Sequence, residues 1–169
     1  TAMNYFRDRQ LTEETMQKWG LGYTGSHSNA LYRYLKAKGY EDRDLVDSGL
    51  IAISERRGAH DKFWNRAMFP IMDAGGKVIA FGGRVMGEGE PKYLNSPETM
   101  IFNKSRTLFG LFLAKRTRRP QMILCEGYMD VISLHQSGFT NAVASLGTAL
   151  TAGHAALIKR YVQEVYLTY

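Results

Sequence analysis

The stretch Gln121-Met122-Ile123-Leu124-Cys125-Glu126-Gly127-Tyr128-Met129-Asp130 joins an apolar run to two carboxylates that lie four residues apart. The run Met122–Cys125 is typical of a short buried strand that ends at Glu126. Further along, the pattern predicts a helix over Val131–Gln136, a strand over Ala142–Leu146, a helix capped by Thr151 that carries Leu157, Ile158, Tyr161 and Val162, and a strand over Val165–Tyr169. Strands that alternate with helices imply right-handed crossovers and a parallel sheet.

The two carboxylates follow the predicted strand at its carboxyl end. In parallel sheets functional side chains gather just past these ends, so Glu126 and Asp130 could face one site. The alternative is structural: Glu126 would accept from backbone N–H groups of the next turn, and Asp130 would begin a helix as its N-cap. Spacing alone favours the structural alternative.

The chain before this unit shows a different pattern. Thr12 is a candidate cap for a helix with Glu13 and Glu14 in its first turn, ended by Gly20 or Gly22. Two further short helices are predicted around Leu31, Tyr34 and Leu35, ended by Gly39, and around Leu45 and Val46, ended by Gly49.

Apolar runs at Met68–Met72 and Val78–Phe81 flank Asp73-Ala74-Gly75-Gly76 and predict a β-hairpin. After it, Gly82-Gly83 indicates a bulge or a close backbone approach, and residues 84–97 are polar and rich in loop formers. Lys115–Pro120 has the composition of an exposed linker. We therefore predict an α+β fold, with a mixed α/β basic subdomain over residues 1–119 and an incomplete α/β unit with a parallel sheet over residues 120–169.

Composition limits the class of protein. The chain has 169 residues, a net charge of +6 and one cysteine, which excludes an internal disulfide framework and a multi-cysteine zinc site. Charge is unevenly spread: residues 1–120 hold 20 basic and 13 acidic side chains, a balance of +7, and residues 121–169 carry −1. A polyanion partner for the first part, or plain solubility, explains this. No apolar run approaches the ~20 residues that span a bilayer, so we expect a cytoplasmic protein with no membrane partner.

Several motifs resemble those of bacterial DNA primases. The segment Pro91-Lys92-Tyr93-Leu94-Asn95-Ser96-Pro97-Glu98-Thr99 is similar to a primase signature, and Glu126-Gly127-Tyr128-Met129-Asp130-Val131 is similar to the first motif of the toprim domain. The other matching segments are Tyr5-Phe6…Arg9, Phe81–Val85, Leu108–Leu111 and Ala142–Ala149. They follow the family's order over essentially the whole chain. One departure is Gln10, which stands where relatives usually have glycine.

The resemblance implies a DNA-directed RNA polymerase that makes short RNA primers by metal-dependent nucleotidyl transfer. It implies that Glu126 is a metal ligand or general base, and that Asp130 supports a Mg²⁺ (or Mn²⁺) cluster. It further implies a groove for nucleotides and nucleic acid, lined by Arg66, Arg84, Lys92, Tyr93, Asn95 and Lys104, with Arg9 as a lesser candidate. For any single Lys or Arg, a solvated surface role is the more frequent alternative.

Further expectations concern parts that the family has and this chain lacks. The family's third toprim strand leads into an Asp-x-Asp pair, and the chain ends where that pair would begin, so we expect a fragment that makes no primers alone. Zinc is expected only in the family's amino-terminal domain, and the replicative helicase and single-strand-binding protein are expected to bind outside these residues. Single-stranded DNA template, ribonucleoside triphosphates and the RNA–DNA hybrid are the partners expected at the replication fork.

Two other classes of function stay open. One is a different toprim enzyme, a topoisomerase or a nuclease, against which the segment Pro91–Thr99 argues. The other is a non-catalytic module in which the basic residues bind nucleotides or single-stranded DNA. A passive phosphate binder would need neither a metal ion nor Glu126, and this difference separates it from the enzyme.

Overall fold

A computed structural model describes residues 2–147 and 149–169; Thr148, part of the Ala142–Ala149 motif, lies outside the described residues. The α-helices are α1 (Ala2–Asp8), α2 (Glu13–Trp19), α3 (Ala30–Ala37), α4 (Asp42–Asp47), α5 (Leu111–Ala114), α6 (Tyr128–Gln136) and α7 (Ala152–Ile158). The strands are β1 (Gly22–Tyr23), β2 (Ile51–Ser54), β3 (Gly58–Asp61), β4 (Arg66–Met72), β5 (Val78–Val85), β6 (Tyr93–Asn95), β7 (Gln121–Cys125), β8 (Ala142–Ala144) and β9 (Glu164–Thr168). Short 3₁₀ turns form at Lys104–Arg106 and Lys115–Thr117.

Three sheets organise these strands. An antiparallel sheet has the order β1-β4-β5-β6, β2 and β3 pair as an antiparallel hairpin, and a parallel sheet has the order β8-β7-β9. The α+β fold with a parallel second unit is therefore confirmed. The β2–β3 hairpin was not predicted, although Gly58, whose φ is 65°, begins β3 directly after the turn.

Local chemistry explains the helix ends. Thr12 accepts the Thr15 N–H at 3.1 Å, and Gly20 ends α2 in the left-handed region with φ 63°, as predicted. Thr151 caps α7 in the same way, since its hydroxyl accepts the His154 N–H at 3.1 Å. Tyr161 and Val162, which we placed on that helix, lie beyond its end at Ile158.

The central hairpin forms where predicted, with β4 paired to β5 from Arg66↔Val85 to Met72↔Val78. Gly82-Gly83 contains no bulge; the register shift lies between Ile71 and Met72. The close approach is real, because an ideal Cβ on Gly82 would lie 2.6 Å from the Tyr128 ring. The backbone there meets a side chain of this chain.

One hydrophobic core crosses the predicted boundary at residues 119 and 120. Phe69 of β4 stacks on Tyr128 of α6 with ring centroids 5.2 Å apart, and Trp19 of α2 lies edge-on to His135 of α6 with ring centroids 5.0 Å apart. The boundary itself stays a prediction. The two predicted units are nonetheless packed together, so they hold each other's side chains in place.

Within residues 2–147 and 149–169, every helix is too short or too polar to cross a lipid bilayer.

Candidate functional site at the end of the parallel sheet

A cavity of about 360 Å³ opens beside the carboxyl end of β7. Its lining comes from both units of the chain: Arg9, Tyr93, Asn95, Glu126, Gly127, Tyr128, Met129, Asp130, Ser145 and Gly147. Buried Cys125 ends the strand, so the next residue, Glu126, emerges into solvent at the sheet edge. The cavity therefore lies between the carboxylates and Arg9, Tyr93 and Asn95 of the preceding unit.

Glu126 and Asp130 differ in their local bonding. Asp130 is the third residue of α6, where its Oδ2 accepts the Gly127 N–H at 3.1 Å. This resembles the structural alternative, although the N-cap is Gly127 and not Asp130. Both carboxylates are exposed to the cavity. Among the residues that the structure describes, no group of three or more His, Cys, Asp or Glu side chains could hold a metal ion.

Arg84 lies between two tyrosine rings at the edge of this cavity. Its guanidinium carbon is 4.9 Å from the Tyr5 ring centroid and 5.6 Å from that of Tyr93, which lines the cavity. Its Nη1 donates to the Val85 carbonyl at 3.0 Å, whereas its Nε is buried without a hydrogen-bond partner in the described part of the chain. A buried donor that lacks a partner in this way costs free energy.

Tyr5 belongs to this cluster, although we did not predict it as a site residue. Its hydroxyl lies 3.3 Å from that of Tyr93, and burial raises the pKa of Tyr5, with the Tyr93 hydrogen bond adding to the shift. The guanidinium carbon of Arg9 also lies over the Tyr5 ring, 5.6 Å from its centroid. The motif Tyr5-Phe6…Arg9 in the sequence could have identified Tyr5 as a site residue.

Asn95 connects the two units through its amide. Its Nδ2 donates to the Leu146 carbonyl at 2.9 Å, and its Oδ1 accepts the hydroxyl of Tyr128. Burial raises the pKa of Tyr128, so this hydroxyl stays protonated and available as a donor. Asn95 thus holds the loop after β8 against α6 while also facing the cavity.

Arg66 is placed differently from the other predicted cations. It is 6% exposed, and its Nη1 donates to the carbonyls of Gly83 at 3.2 Å and Pro91 at 2.9 Å. Burial lowers the pKa of its guanidinium. These contacts tie the Pro91 segment to β5, so the guanidinium of Arg66 stabilises the backbone of this part of the groove.

A second, larger cavity of about 670 Å³ adjoins the first, and Asn95 lines both. Cationic and aromatic side chains along it include Arg57, Lys62, Trp64, Arg66 and Lys104. Lys92 is exposed just before β6, and neither it nor Arg84 is among the residues that line these two cavities. The residues predicted to line one groove are therefore spread over the two cavities and the surface beside them.

Comparison with known proteins gives two consecutive family matches. The family model described as the DNA primase catalytic core, N-terminal domain, matches residues 1–115, and a toprim-like model matches residues 123–169. The chain belongs to the bacterial DNA primase family. The primase of Clostridium acetobutylicum is 48% identical over 99% of this chain, and that of Deinococcus radiodurans is 45% identical over 94%. The chain spans 28% of the length of each of these two primases.

Solved primase structures share the fold. The Escherichia coli primase catalytic core has a TM-score of 0.93 and 39% identity, covering 99% of this chain and 54% of that chain. A primase catalytic domain bound to single-stranded DNA has a TM-score of 0.90 and 40% identity, covering 99% of this chain and 53% of that one. The primase fold thus accounts for the whole described chain.

Proposed function

We propose that this chain is part of the polymerase core of a DNA primase, which synthesises RNA primers on single-stranded DNA by nucleotidyl transfer. The shared cavity carries this proposal: Glu126 and Asp130 line one side, and Arg9, Tyr93 and Asn95 line the other. Nucleotidyl transfer needs carboxylates near the reacting phosphate and cations or polar groups that hold the nucleotides. Both kinds of group meet here.

Membership in the primase and toprim-like families implies a divalent metal. Exposed carboxylate oxygens on Glu126 and Asp130 fit Mg²⁺ or Mn²⁺, which bind through few carboxylates, waters and substrate phosphates. When bound, such an ion lowers the pKa of the attacking hydroxyl and neutralises charge on the leaving group. Two carboxylates make a weak site, because most of the coordination would then come from waters and substrate phosphates.

The chain's own residues would bind and orient the nucleic acid. Tyr93, 41% exposed, offers a face for base stacking, and the half-buried Arg84 guanidinium lies beside it, 5.6 Å from the ring centroid. Lys92 and Arg9 are exposed and would contact phosphates. Lys104 would do the same along the larger cavity.

The proposed partners follow from these surfaces. Single-stranded DNA template, ribonucleoside triphosphates and the RNA–DNA hybrid would contact the two cavities. A replicative helicase, a single-strand-binding protein and a zinc ion are proposed to bind other parts of the primase, since the chain spans 28% of its relatives.

A nucleotide titration tests the enzyme class. We expect a ribonucleoside triphosphate to bind more tightly with Mg²⁺ than without, and we expect Glu126→Gln to remove this difference. Glu55→Gln, an exposed acid in the β2–β3 turn, is the matched control and should keep it. Binding that ignores both Mg²⁺ and Glu126→Gln would instead support the passive nucleotide-binding module.

Catalysis by these 169 residues alone is expected to be negligible, because two carboxylates hold the metal weakly. Template-dependent ribonucleotide incorporation should not exceed that of the Glu126→Gln variant. Incorporation clearly above that variant would show that the present ligands suffice.

A further inference from the structure

The first turn of α7 packs against the 3₁₀ turn Lys104–Arg106, which carries one of the proposed phosphate-binding lysines. Thr151 donates its hydroxyl hydrogen to the Ser105 carbonyl at 2.7 Å. An ideal Cβ on Gly153 would lie 2.5 Å from that same carbonyl oxygen. The two backbones therefore approach so closely that a side chain at Gly153 would push them apart.

His154 is the centre of this contact and has 0% exposure. Its Nε2 lies 2.7 Å from the Lys104 carbonyl and 3.2 Å from the Thr107 carbonyl, and carbonyl oxygens only accept hydrogen bonds. Its Nδ1 lies 3.2 Å from the Thr151 N–H, which only donates. The partners thus select the tautomer with the hydrogen on Nε2.

These bonds restrain both ends of the turn that bears Lys104. The Lys104 N–H donates to Glu98 Oε1 at 2.8 Å, and the Thr107 hydroxyl donates to the Asn103 carbonyl at 2.7 Å. His154 adds the restraint that comes from the toprim-like unit. The backbone of Lys104 is therefore set relative to the sheet that carries Glu126, although the two lie in different units.

We propose that His154 is a positioning residue for Lys104, fixing that lysine on the wall of the larger cavity where nucleic acid would pass. This inference rests on the proposed function, because it assigns Lys104 a phosphate contact. A flexible lysine on an unrestrained turn loses more conformational entropy on binding than one on a fixed turn. Loss of the His154 bonds therefore weakens the contact without removing the lysine.

Two measurements on the same variants test this proposal. The variants are His154→Leu, which removes both ring nitrogens, His154→Gln, which retains an N–H donor near the position of Nε2, and Lys104→Met. His135→Leu is the matched control, since His135 is also buried but contacts the Ala142 carbonyl instead of the Lys104 turn.

Hydrogen exchange measures how strongly the turn Lys104–Arg106 is restrained in the absence of any ligand. In His154→Leu we expect the Arg106 amide, which donates to the Asn103 carbonyl at 3.2 Å, to exchange roughly tenfold faster, with β7 amides unchanged. His154→Gln should restore much of the protection, and His135→Leu should not alter this turn. Unchanged exchange in His154→Leu would overturn the proposal.

Single-stranded DNA binding at several salt concentrations tests whether His154 affects the phosphate contact of Lys104. His154→Leu should lower the steepness of log K against log salt by up to about 0.7, the value for one phosphate contact on a single strand. In the Lys104→Met background it should add no further loss, because it acts through that lysine. Additive losses would refute a role through Lys104.

The two proposals fail in different ways. If the unaltered chain binds no DNA while exchange in His154→Leu still rises at the turn, the proposed function fails and the structural restraint stands. If His154→Leu does not fold, His154→Asn replaces it, because its shorter polar side chain keeps an acceptor near the position of Nδ1 but lacks the Nε2 donor to the Lys104 and Thr107 carbonyls, and it should raise exchange in the same turn. Unchanged exchange there would count against the proposal equally.

Discussion

The ring of Tyr128 occupies the space that a side chain at Gly82 would fill, with an ideal Gly82 Cβ only 2.6 Å from the ring. Tyr128 stacks on Phe69 at 5.2 Å and meets Phe109 edge-on at 4.7 Å between ring centroids. It is also the first residue of α6, two positions after Glu126. The missing side chain in β5 thus determines where the carboxylates lie relative to the antiparallel sheet.

Replacing Gly82 by alanine should therefore destabilise the protein. Gly82 needs no left-handed backbone, so the effect comes from the clash with Tyr128 alone. Overpacking of this kind costs about 1–3 kcal/mol. Urea denaturation should show the midpoint of Gly82→Ala at a lower concentration than that of the unaltered chain.

Gly22→Ala is the matched control for this substitution. Gly22 also lies in a strand of the same sheet, and an added Cβ there would meet nothing within 4 Å. Its midpoint should stay close to that of the unaltered chain. Equal losses in the two variants would show that strand glycines as such, and not the Tyr128 contact, set the effect.

A second prediction concerns the hydroxyl of Tyr128. Tyr128→Phe keeps the ring in place but leaves the half-buried Oδ1 of Asn95 without its donor. The free energy of unfolding should fall by about 1 kcal/mol, the usual net value of one such bond. Thermal unfolding of Tyr128→Phe against Tyr40→Phe, whose ring is 52% exposed, measures this. No difference between the two would mean that the bond contributes nothing.

Replacement by methionine should lower the stability of the protein at Arg66 and weaken DNA binding at Lys92. Arg66 is 6% exposed and bonded to two backbone carbonyls, so Arg66→Met should lower the free energy of unfolding by about 1–3 kcal/mol. Lys92 is exposed, so Lys92→Met should leave stability nearly unchanged and weaken single-stranded DNA binding instead.

Paired measurements separate these roles. Chemical denaturation gives stability, and DNA binding at several salt concentrations gives the number of phosphate contacts. For Lys92→Met we expect the salt dependence to become shallower by about 0.7. A shallower salt dependence in Arg66→Met, at unchanged stability, would place that guanidinium on the ligand instead.

The sequence predicts elements whose signals are local. Thr12 and Thr151 cap helices through bonds to residues three positions away, and the hairpin turn at Asp73–Gly76 joins neighbouring strands. The alternation of strands and helices after residue 120 predicts a parallel sheet, because right-handed crossovers and short connections allow few other arrangements. These features follow from short-range chemistry.

Features that depend on distant contacts were not predictable in the same way. Arg66 resembled the other cations in sequence, yet it bonds the carbonyl of Pro91, 25 residues away. The partnership of Tyr5 and Tyr93 joins residues 88 positions apart. In the sequence, an arginine that binds phosphate cannot be distinguished from one that supports a loop. The burial of the side chain in the structure distinguishes them.

A last prediction concerns acid stability and His135. This side chain is 5% exposed and lies edge-on to Trp19, with ring centroids 5.0 Å apart. Burial lowers the pKa of His135 in the folded state, more than the Ala142 carbonyl raises it. The folded protein therefore favours the neutral ring, whereas the unfolded chain takes up a proton near the ordinary value of about 6.5.

The sign of the pH dependence follows from that difference. The contribution of His135 to stability is fully present above the unfolded pKa and is lost as pH falls through the folded pKa. Between about pH 7 and about pH 5 the free energy of unfolding should decline, and His135→Leu should make this decline shallower. Exposed His27→Leu is the control and should leave the profile unchanged. If His135→Leu and the unaltered chain decline in parallel, protonation of this ring does not govern the acid response.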